Sequence, residues 1–368
     1  MPIKLLGNSI LHEAVVQKAT DIHFIPIKKG GIVQFRIDDR LIEHRKLSQE
    51  EYIRVLAHFK YSARMDIGEH RKPQSGSMDV MINNENVHLR FSSIPSAFNE
   101  SLVIRLLPQQ ETLTLQELSL FPHVFQKLLS LIKRSSGLLL FSGPTGSGKT
   151  TILYSLLHHL QKNYKRQVVT LEDPVERKVD SFLQMEINEK AGLTYGEGFK
   201  SLLRHDPDVI MIGEIRDEST ARLVIRASLT GHLVLSTMHA ADCIGCIERL
   251  REFGIQETEL QQTLMGIVSQ RLISIPCPFC GDDCVDFCFK FRTYRRAGIY
   301  EMLCNQELLS SLSKVSVDMP TYKNLSFSFN HAFAAGYVTK ESYERWMGGE
   351  TKSDKKGLET GFSRDVSL

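Results

Sequence analysis

The chain has almost no excess of either charge: 45 Lys and Arg stand against 43 Asp and Glu, a net of +2 over 368 residues. Proteins built to hold nucleic acid concentrate basic residues in a stripe with aromatics between them, and no such stripe is present. Direct nucleic-acid binding is therefore not expected. Long apolar runs are also missing. None reaches the roughly 20 residues that span a bilayer, so any membrane association is expected only through a partner protein. Residues 1–9 lack the apolar core and small-residue cleavage site of a secretory leader. The expectation is a cytoplasmic chain whose seven cysteines stay reduced. No internal repeat is visible. What remains is an ordinary globular composition, 42% hydrophobic and 24% charged, at a length that suggests two or three domains.

Against that background one stretch carries chemistry: Gly143-Pro144-Thr145-Gly146-Ser147-Gly148-Lys149-Thr150-Thr151. It fits the phosphate-binding pattern G-x-x-x-x-G-K-[ST]. Residues 138–141 before it are apolar and read as a buried parallel strand, and 150–161 after it read as a helix with leucines and an isoleucine on one face. The order matters. Glycines let backbone N–H groups turn toward phosphate oxygens, and the helix N-terminus adds partial positive charge. Lys149 can reach the β- and γ-phosphates of ATP, and the Thr150 hydroxyl can hold Mg²⁺. A glycine-rich turn without a ligand is the plain alternative.

The rest of the chain organises around this loop. Residues 1–108 mix helix signals (8–19 and 49–61) with strand signals (22–25, 32–37, 78–82, 86–92 and 101–106), a small α+β domain. Residues 109–114 read as a linker. From 115 to 275 short β runs (138–142, 167–171, 209–212, 233–237) alternate with helices, the signature of a parallel doubly wound sheet. A cysteine-rich element and helices fill 276–347, and 348–368 reads as a polar, disordered tail.

Acidic residues and histidines recur at the strand ends, where ligand sites of α/β sheets lie. Glu172 and Asp173 follow the second run and are candidates to order Mg²⁺ or a nucleophilic water; a solvated acidic turn is the bland alternative. The run 209–212 ends in Gly213-Glu214, with Gly213 where an Asp often stands, and Glu214 is chosen to polarise the attacking water. His232 and His239 bracket a further strand and are candidates to contact the γ-phosphate, against a packing or capping role. Arg64, Arg71, Arg90 and Arg105 lie in the first domain, and arginines from another domain or subunit can offset transition-state charge. Cys277, Cys280, Cys284 and Cys288 are spaced C-x₂-C-x₃-C-x₃-C, which in a reducing compartment favours a tetrahedral Zn²⁺ site over disulfides, though the spacing is tighter than in common zinc ribbons. Cys243, Cys246 and Cys304 read as buried thiols.

Taken in order, these segments resemble the ATPases of type II secretion, type IV pilus assembly and competence systems. The match runs through Ala19-Thr20-Asp21-Ile22-His23, the Walker A loop, Leu171-Glu172-Asp173-Pro174-Val175-Glu176, Arg204 to Asp208, Gly213 to Asp217, Thr230 to His239, Gln270-Arg271-Leu272 and Gly298-Ile299-Tyr300-Glu301. The resemblance implies a PAS-like first domain, a RecA-like P-loop motor domain, and a homo-hexamer binding ATP between the two. It implies Glu214 as catalytic glutamate, Glu172 and Asp173 near metal and water, His232 and His239 near the γ-phosphate, and Arg90 and Arg105 against the phosphates. It also implies a polytopic inner-membrane platform protein as partner, with the motor peripheral at the cytoplasmic face. The chain begins almost at the second domain of the longer relatives and has compressed cysteines, which points to the competence pseudopilus ATPases of Gram-positive bacteria. The cysteines disfavour a retraction motor.

The sequence therefore reads as a hexameric traffic ATPase that assembles a competence-type pseudopilus for DNA binding and uptake. The alternatives are a type II secretion or type IV pilus assembly ATPase unconnected with DNA uptake, a nucleic-acid-dependent RecA-like ATPase, and a non-catalytic ATP-binding scaffold.

Overall fold

A computed structural model describes residues 2–37, 40–109, 114–121, 123–281, 295–313 and 322–350. Helix α1 (Ile3–Val16) leads into a run of antiparallel strands: β1 (Asp21–Ile27), β2 (Gly30–Ile37) and β3 (Arg40–Leu47). After α2 (Gln49–Ser62) come β4 (Gln74–Ile82), β5 (Glu85–Pro95) and β6 (Glu100–Pro108). The six strands form one sheet in the order β3-β2-β1-β6-β5-β4, so β1 and β6 lie at its centre. Ser48 and Glu51 start α2 with a reciprocal capping box. Both helices pack on one face through Ile10, Ala14, Val55 and Phe59, against Phe24, Phe35 and Phe91. Inside this domain lies an ion pair that the sequence did not announce. Lys60 Nζ donates to both oxygens of Glu100 at 2.9 Å, and both side chains are almost fully buried.

The second sheet follows a short 3₁₀ turn (Leu115–Leu118) and α3 (His123–Ile132). Its elements are β7 (Gly137–Ser142), α4 (Lys149–Tyr164), β8 (Val168–Glu172), β9 (Leu183–Glu186), α5 (Tyr195–Leu202), β10 (Val209–Ile212), α6 (Glu218–Leu229), β11 (Leu233–Met238), α7 (Cys243–Glu252), α8 (Glu257–Thr263), β12 (Leu264–Ser274) and β13 (Arg296–Cys304). Helices α9 (Asn305–Leu312), α10 (Leu325–Ala334) and α11 (Lys340–Glu350) close the described chain. Strand order is β13-β12-β7-β11-β10-β8-β9, parallel throughout except for the β12–β13 pair.

Alternate residues of the central strands feed two cores. Leu139, Phe141, Met211 and Leu235 face α3 and α4; Leu140, Ile212 and Val234 face α5, α6 and α7. Helices thus cover both faces, as expected for a doubly wound sheet. The sheet does not stop at residue 275, where the sequence suggested a boundary. β13 pairs with β12 over nine residues, so the stretch that holds the cysteines joins two neighbouring strands of this second sheet. No described helix is long and apolar enough to cross a membrane.

Candidate active site

Parallel topology sets the site. The strands β7, β11, β10 and β8 lie side by side, and their register aligns Ser142 with Met238 and Ile212 with both Ser236 and Leu171. The residues after their C-terminal ends therefore form a row: Gly143, His239, Glu214 and Asp173. Neighbouring strands are about 4.8 Å apart, so Glu214 lies about two strand widths from the phosphate loop.

The loop has the backbone that phosphate cradling requires. Gly143, Gly146 and Gly148 have φ of 145°, 78° and 86°, values that disfavour any side chain. A Cβ on Gly143 would also lie 2.5 Å from the Gln270 carbonyl oxygen, and one on Gly148 2.9 Å from Gln270 Nε2. β12 is thus the other wall of the loop, which gives the Gln270-Arg271-Leu272 motif its place. Ser147 Oγ is buried and has no hydrogen-bond partner among the described residues. Lys149 begins α4 and is 8% exposed. Its Nζ donates to the Gly143 and Pro144 carbonyls at 2.7 and 2.9 Å. Burial lowers its pKa, and the charges of Glu214 and Glu176 oppose that shift. Thr150 and Thr151 occupy the first turn of α4, with Thr145 exposed on the loop. This set fits a triphosphate: a glycine cradle, an unpartnered hydroxyl and a buried cation.

Glu214 is held by its neighbours on both sides. The connection from β10 is pinned by Gly213 N–H on the Leu171 carbonyl (2.9 Å) and by Thr237 Oγ1 on the Gly213 carbonyl (2.8 Å). Glu214 Oε2 lies 3.1 Å from His239 Nε2, and Oε1 accepts from the Arg216 guanidinium. Arg216 Nη1 also reaches Asp173 Oδ2 at 3.2 Å, so one cation joins the tips of β10 and β8, and Glu214 links them to His239 at the tip of β11. Arg216 was in a motif but had no assigned role. Residues i and i+2 of an extended segment share a side, and that spacing pointed to it. Tyr195, at the start of α5, is a further residue the sequence did not single out. Its hydroxyl is buried beside this cluster, and burial together with Asp173 pushes its pKa up to about 12.

Other candidates sit elsewhere. Glu172 points inward: it is 3% exposed and accepts from the Tyr154 hydroxyl at 2.9 and 2.8 Å and from Thr170 Oγ1 at 2.7 Å. Burial raises its pKa. The structure thus separates Glu172 from Asp173, its neighbour in sequence. His232 precedes β11 and lies at the opposite edge of the sheet, roughly 20 Å from the loop at about 3.3 Å per residue. Its Nδ1 is 3.2 Å from the Ala227 carbonyl oxygen and 3.1 Å from Thr230 Oγ1. Within this chain it cannot contact a phosphate held by Lys149.

Three of the four candidate arginines of the first domain, Arg64, Arg90 and Arg105, line a cleft of about 1170 Å³ between the two sheets, together with the 174–176 segment. Arg90 Nη2 donates to the Val175 carbonyl at 3.1 Å, two residues beyond Asp173. Arg105 Nε donates to Asp21 Oδ1 at 2.9 Å. Arg71 is exposed and pairs with Glu69. The P-loop lies outside this cleft. Residue 109, where the sequence suggested a linker, is tied down: Gln109 Nε2 donates to the Glu176 carbonyl and its Oε1 accepts from Lys178 N–H, at 3.2 and 3.0 Å.

Cys277 and Cys280 lie on a closed turn in which Cys277 and Gly281 exchange backbone hydrogen bonds of 3.0 and 2.9 Å. Cys284 and Cys288 fall outside the described residues. Among the described residues no group of three or more His, Cys, Asp or Glu is placed to hold a metal. Cys243, Cys246 and Cys304 are buried, as read from the sequence.

Comparison with known proteins agrees with this geometry. Residues 1–336 match the family described as Type II/IV secretion system protein. The chain is 45% identical over 348 residues to the competence protein ComGA of Bacillus subtilis, covering 94% of this chain and 98% of that one. It is 41% identical to the type II secretion system protein E of Pseudomonas aeruginosa over 280 residues, 76% of this chain and 56% of that one. Among solved structures, the pilus retraction motor PilT with bound ADP superposes with a TM-score of 0.67 at 26% identity, covering 92% of this chain and 96% of PilT. The Legionella pneumophila ATPase DotB gives 0.72 at 20% identity over 94% of this chain and 96% of DotB, a likeness of fold.

Proposed function

The chain belongs to the type II/IV secretion system protein family and is an ATPase with a RecA-like motor domain, and from that premise we propose that it powers assembly of a competence-type pseudopilus used for DNA uptake. The observation that carries the mechanism is the row of strand tips: P-loop, His239, Glu214 and Asp173, with the Glu214 charge felt at Lys149. The backbone N–H groups of residues 143–149 and Lys149 bind the phosphates, and the Thr150 hydroxyl would hold Mg²⁺, which neutralises phosphate charge when bound. Glu214 takes the proton of the attacking water, and His239 fixes the carboxylate's orientation. Arg90 and Arg105 supply charge to the transferring phosphoryl group once they exchange their present partners.

On this reading the motor is a homo-hexamer at the cytoplasmic face of the membrane, acting on a polytopic platform protein. The near-complete coverage of ComGA favours the competence branch over type II secretion. Domains follow the two sheets: 1–108, a short linker, and a motor unit that includes β13. We also assign Cys277, Cys280, Cys284 and Cys288 to one zinc ion; elemental analysis of the purified chain tests this, and zinc well below one equivalent overturns it.

The deciding experiment replaces the chromosomal copy with Lys149→Ala in the source bacterium. Loss of DNA binding and uptake, with general secretion intact, supports the competence role. Normal uptake moves the motor to another secretion or pilus machine.

A further inference from the structure

The Gly298-Ile299-Tyr300-Glu301 motif has no part in the site above. It lies on β13, and Glu301 is 1% exposed. Glu301 Oε1 accepts a hydrogen bond from the Cys243 N–H at 2.8 Å and a shorter one from the Tyr322 hydroxyl. Glu301 Oε2 accepts from the Leu325 N–H at 3.0 Å. Cys243 and Leu325 are the first residues of α7 and α10. One buried carboxylate thus joins the N-termini of two helices far apart in sequence, where unsatisfied N–H groups and partial positive charge favour it. Each helix already has its own cap: Asp242 Oδ1 accepts from Gly245 N–H, and Asn324 Oδ1 from Phe327 N–H, at 2.7 and 2.8 Å. What Glu301 adds is the tie between them.

That tie ends at the nucleotide site. The loop 239–242 precedes α7 directly. Within it His239 meets Glu214, the Ala240 carbonyl accepts from Ser142 Oγ at the end of β7 (3.2 Å), and the Ala241 carbonyl accepts from Arg271 Nη2 (2.5 Å). A shift at the start of α7 therefore moves groups on both sides of the P-loop.

We propose that Glu301 is a positioning residue that fixes the C-terminal helices to the 239–242 loop, so that a load on those helices reaches His239, Glu214 and the P-loop strand. The inference rests on the reading of Glu214 and His239 as the catalytic pair, and the test keeps the two apart. It has a readout besides turnover, because Cys243 and Cys246 are fully buried at the start of α7 and should label only when that end loosens.

The experiment compares the wild-type chain with Glu301→Gln and Tyr322→Phe. It measures kcat, KM for ATP, and maleimide labelling of Cys243 and Cys246 in the folded protein, resolved by peptide mass spectrometry. Gln keeps the size but loses the charge and leaves one acceptor for three donors. Glu301→Gln should lower kcat about tenfold, hold KM within about twofold, and speed Cys243 labelling about tenfold or more, in line with loss of charge-assisted hydrogen bonds. Tyr322→Phe keeps both backbone contacts and should give a smaller change of the same sign. Labelling at the wild-type rate overturns the clamp, and faster labelling with unchanged kcat overturns its link to catalysis. Where Glu301→Gln fails to fold, Tyr322→Phe decides by the same two criteria. Wild-type turnover in Glu214→Gln would instead overturn the catalytic reading, while labelling still reports the tie.

Discussion

Replacing Glu214 by Gln should separate ATP binding from ATP hydrolysis, in opposite directions. Gln keeps the size of the side chain and can accept from Arg216, but it cannot take a proton from water. General-base catalysis contributes about 10²–10⁴ in rate. That is about 3–5 kcal/mol on the barrier at 1.36 kcal/mol per decade. The expected loss in kcat is of that order. Affinity should rise. The Glu214 charge is felt at Lys149, so it also repels a triphosphate bound there. At roughly 10 Å, two strand widths, and an effective dielectric of about 20–40, one charge on another is worth about 0.8–1.7 kcal/mol, or about four- to seventeenfold in Kd.

The assay pairs phosphate release under saturating ATP with fluorescent-nucleotide titration of the same preparation. Turnover within a factor of two of wild type would refute the catalytic assignment. Loss of binding would refute it differently. It would place Glu214 among the groups that hold the nucleotide through Mg²⁺, where removing the charge weakens the complex.

Three further outcomes follow from the contacts. Tyr154→Phe removes the hydroxyl whose one proton lies between the two oxygens of buried Glu172; a loss of about 1.5–3 kcal/mol, or about 4–8 °C in the thermal midpoint, is expected, and a midpoint shifted by less than about 1 °C would refute it. His23, His44, His58, His123, His158 and His159 all have pKa values lowered from 6.5, with burial the first cause in each. A depressed histidine pKa means that the unfolded chain binds more protons, so stability is full above 6.5 and falls as pH drops below it; a midpoint that rises between pH 7 and pH 5.5 contradicts that sign. Arg105→Ala should lower kcat about tenfold or more while leaving nucleotide affinity nearly unchanged, since the arginine is assigned to the transition state; equal losses in kcat/KM and in Kd would instead make it a binding group.

The P-loop and the place of Glu214 at a strand tip were legible because they follow a local order of strand, loop and helix, and order is what a sequence records. The misplaced residues show where order is not enough. His232 and His239 bracket one strand, so they look paired in the chain, yet a six-residue strand puts them at opposite edges of the sheet. Glu172 and Asp173 are adjacent, but β8 is buried on both faces, and such a strand has no polar alternation to say which way its last side chain points. Strand β3, with the sequence RLIEHRKL, is a charged, largely exposed edge strand, so its apolar content fell below a strand signal. β13 was hidden for another reason. Its partner β12 lies across the cysteine-rich segment, and pairing over such a gap leaves no local trace.

The groups assigned to the phosphates share one feature: each can change partners without stranding a buried charge. Lys149 is bonded to carbonyls of its own loop, so moving it onto a phosphate breaks nothing elsewhere in the fold. Arg105 holds Asp21, a nearly buried carboxylate, and leaving that carboxylate alone would be costly. Asp21, however, also has Arg36 Nε at 3.8 Å and a hydrogen bond from Thr20 Oγ1 at 2.9 Å, so it keeps company when Arg105 departs. Arg90 gives up a single carbonyl contact. Glu214 must shed Arg216 before an oxygen is open to water, and it then retains His239, while Arg216 retains Asp173. Lys60 and Glu100 show the contrast. Both side chains of that pair are almost fully buried, so parting them would leave each charge in a low-dielectric interior with one remaining partner, His70 on Glu100 (2.7 Å) and the Glu69 carbonyl on Lys60 (2.8 Å). A motor needs both kinds of ion pair. The sequence marks neither, since the difference lies in how deeply both partners are buried.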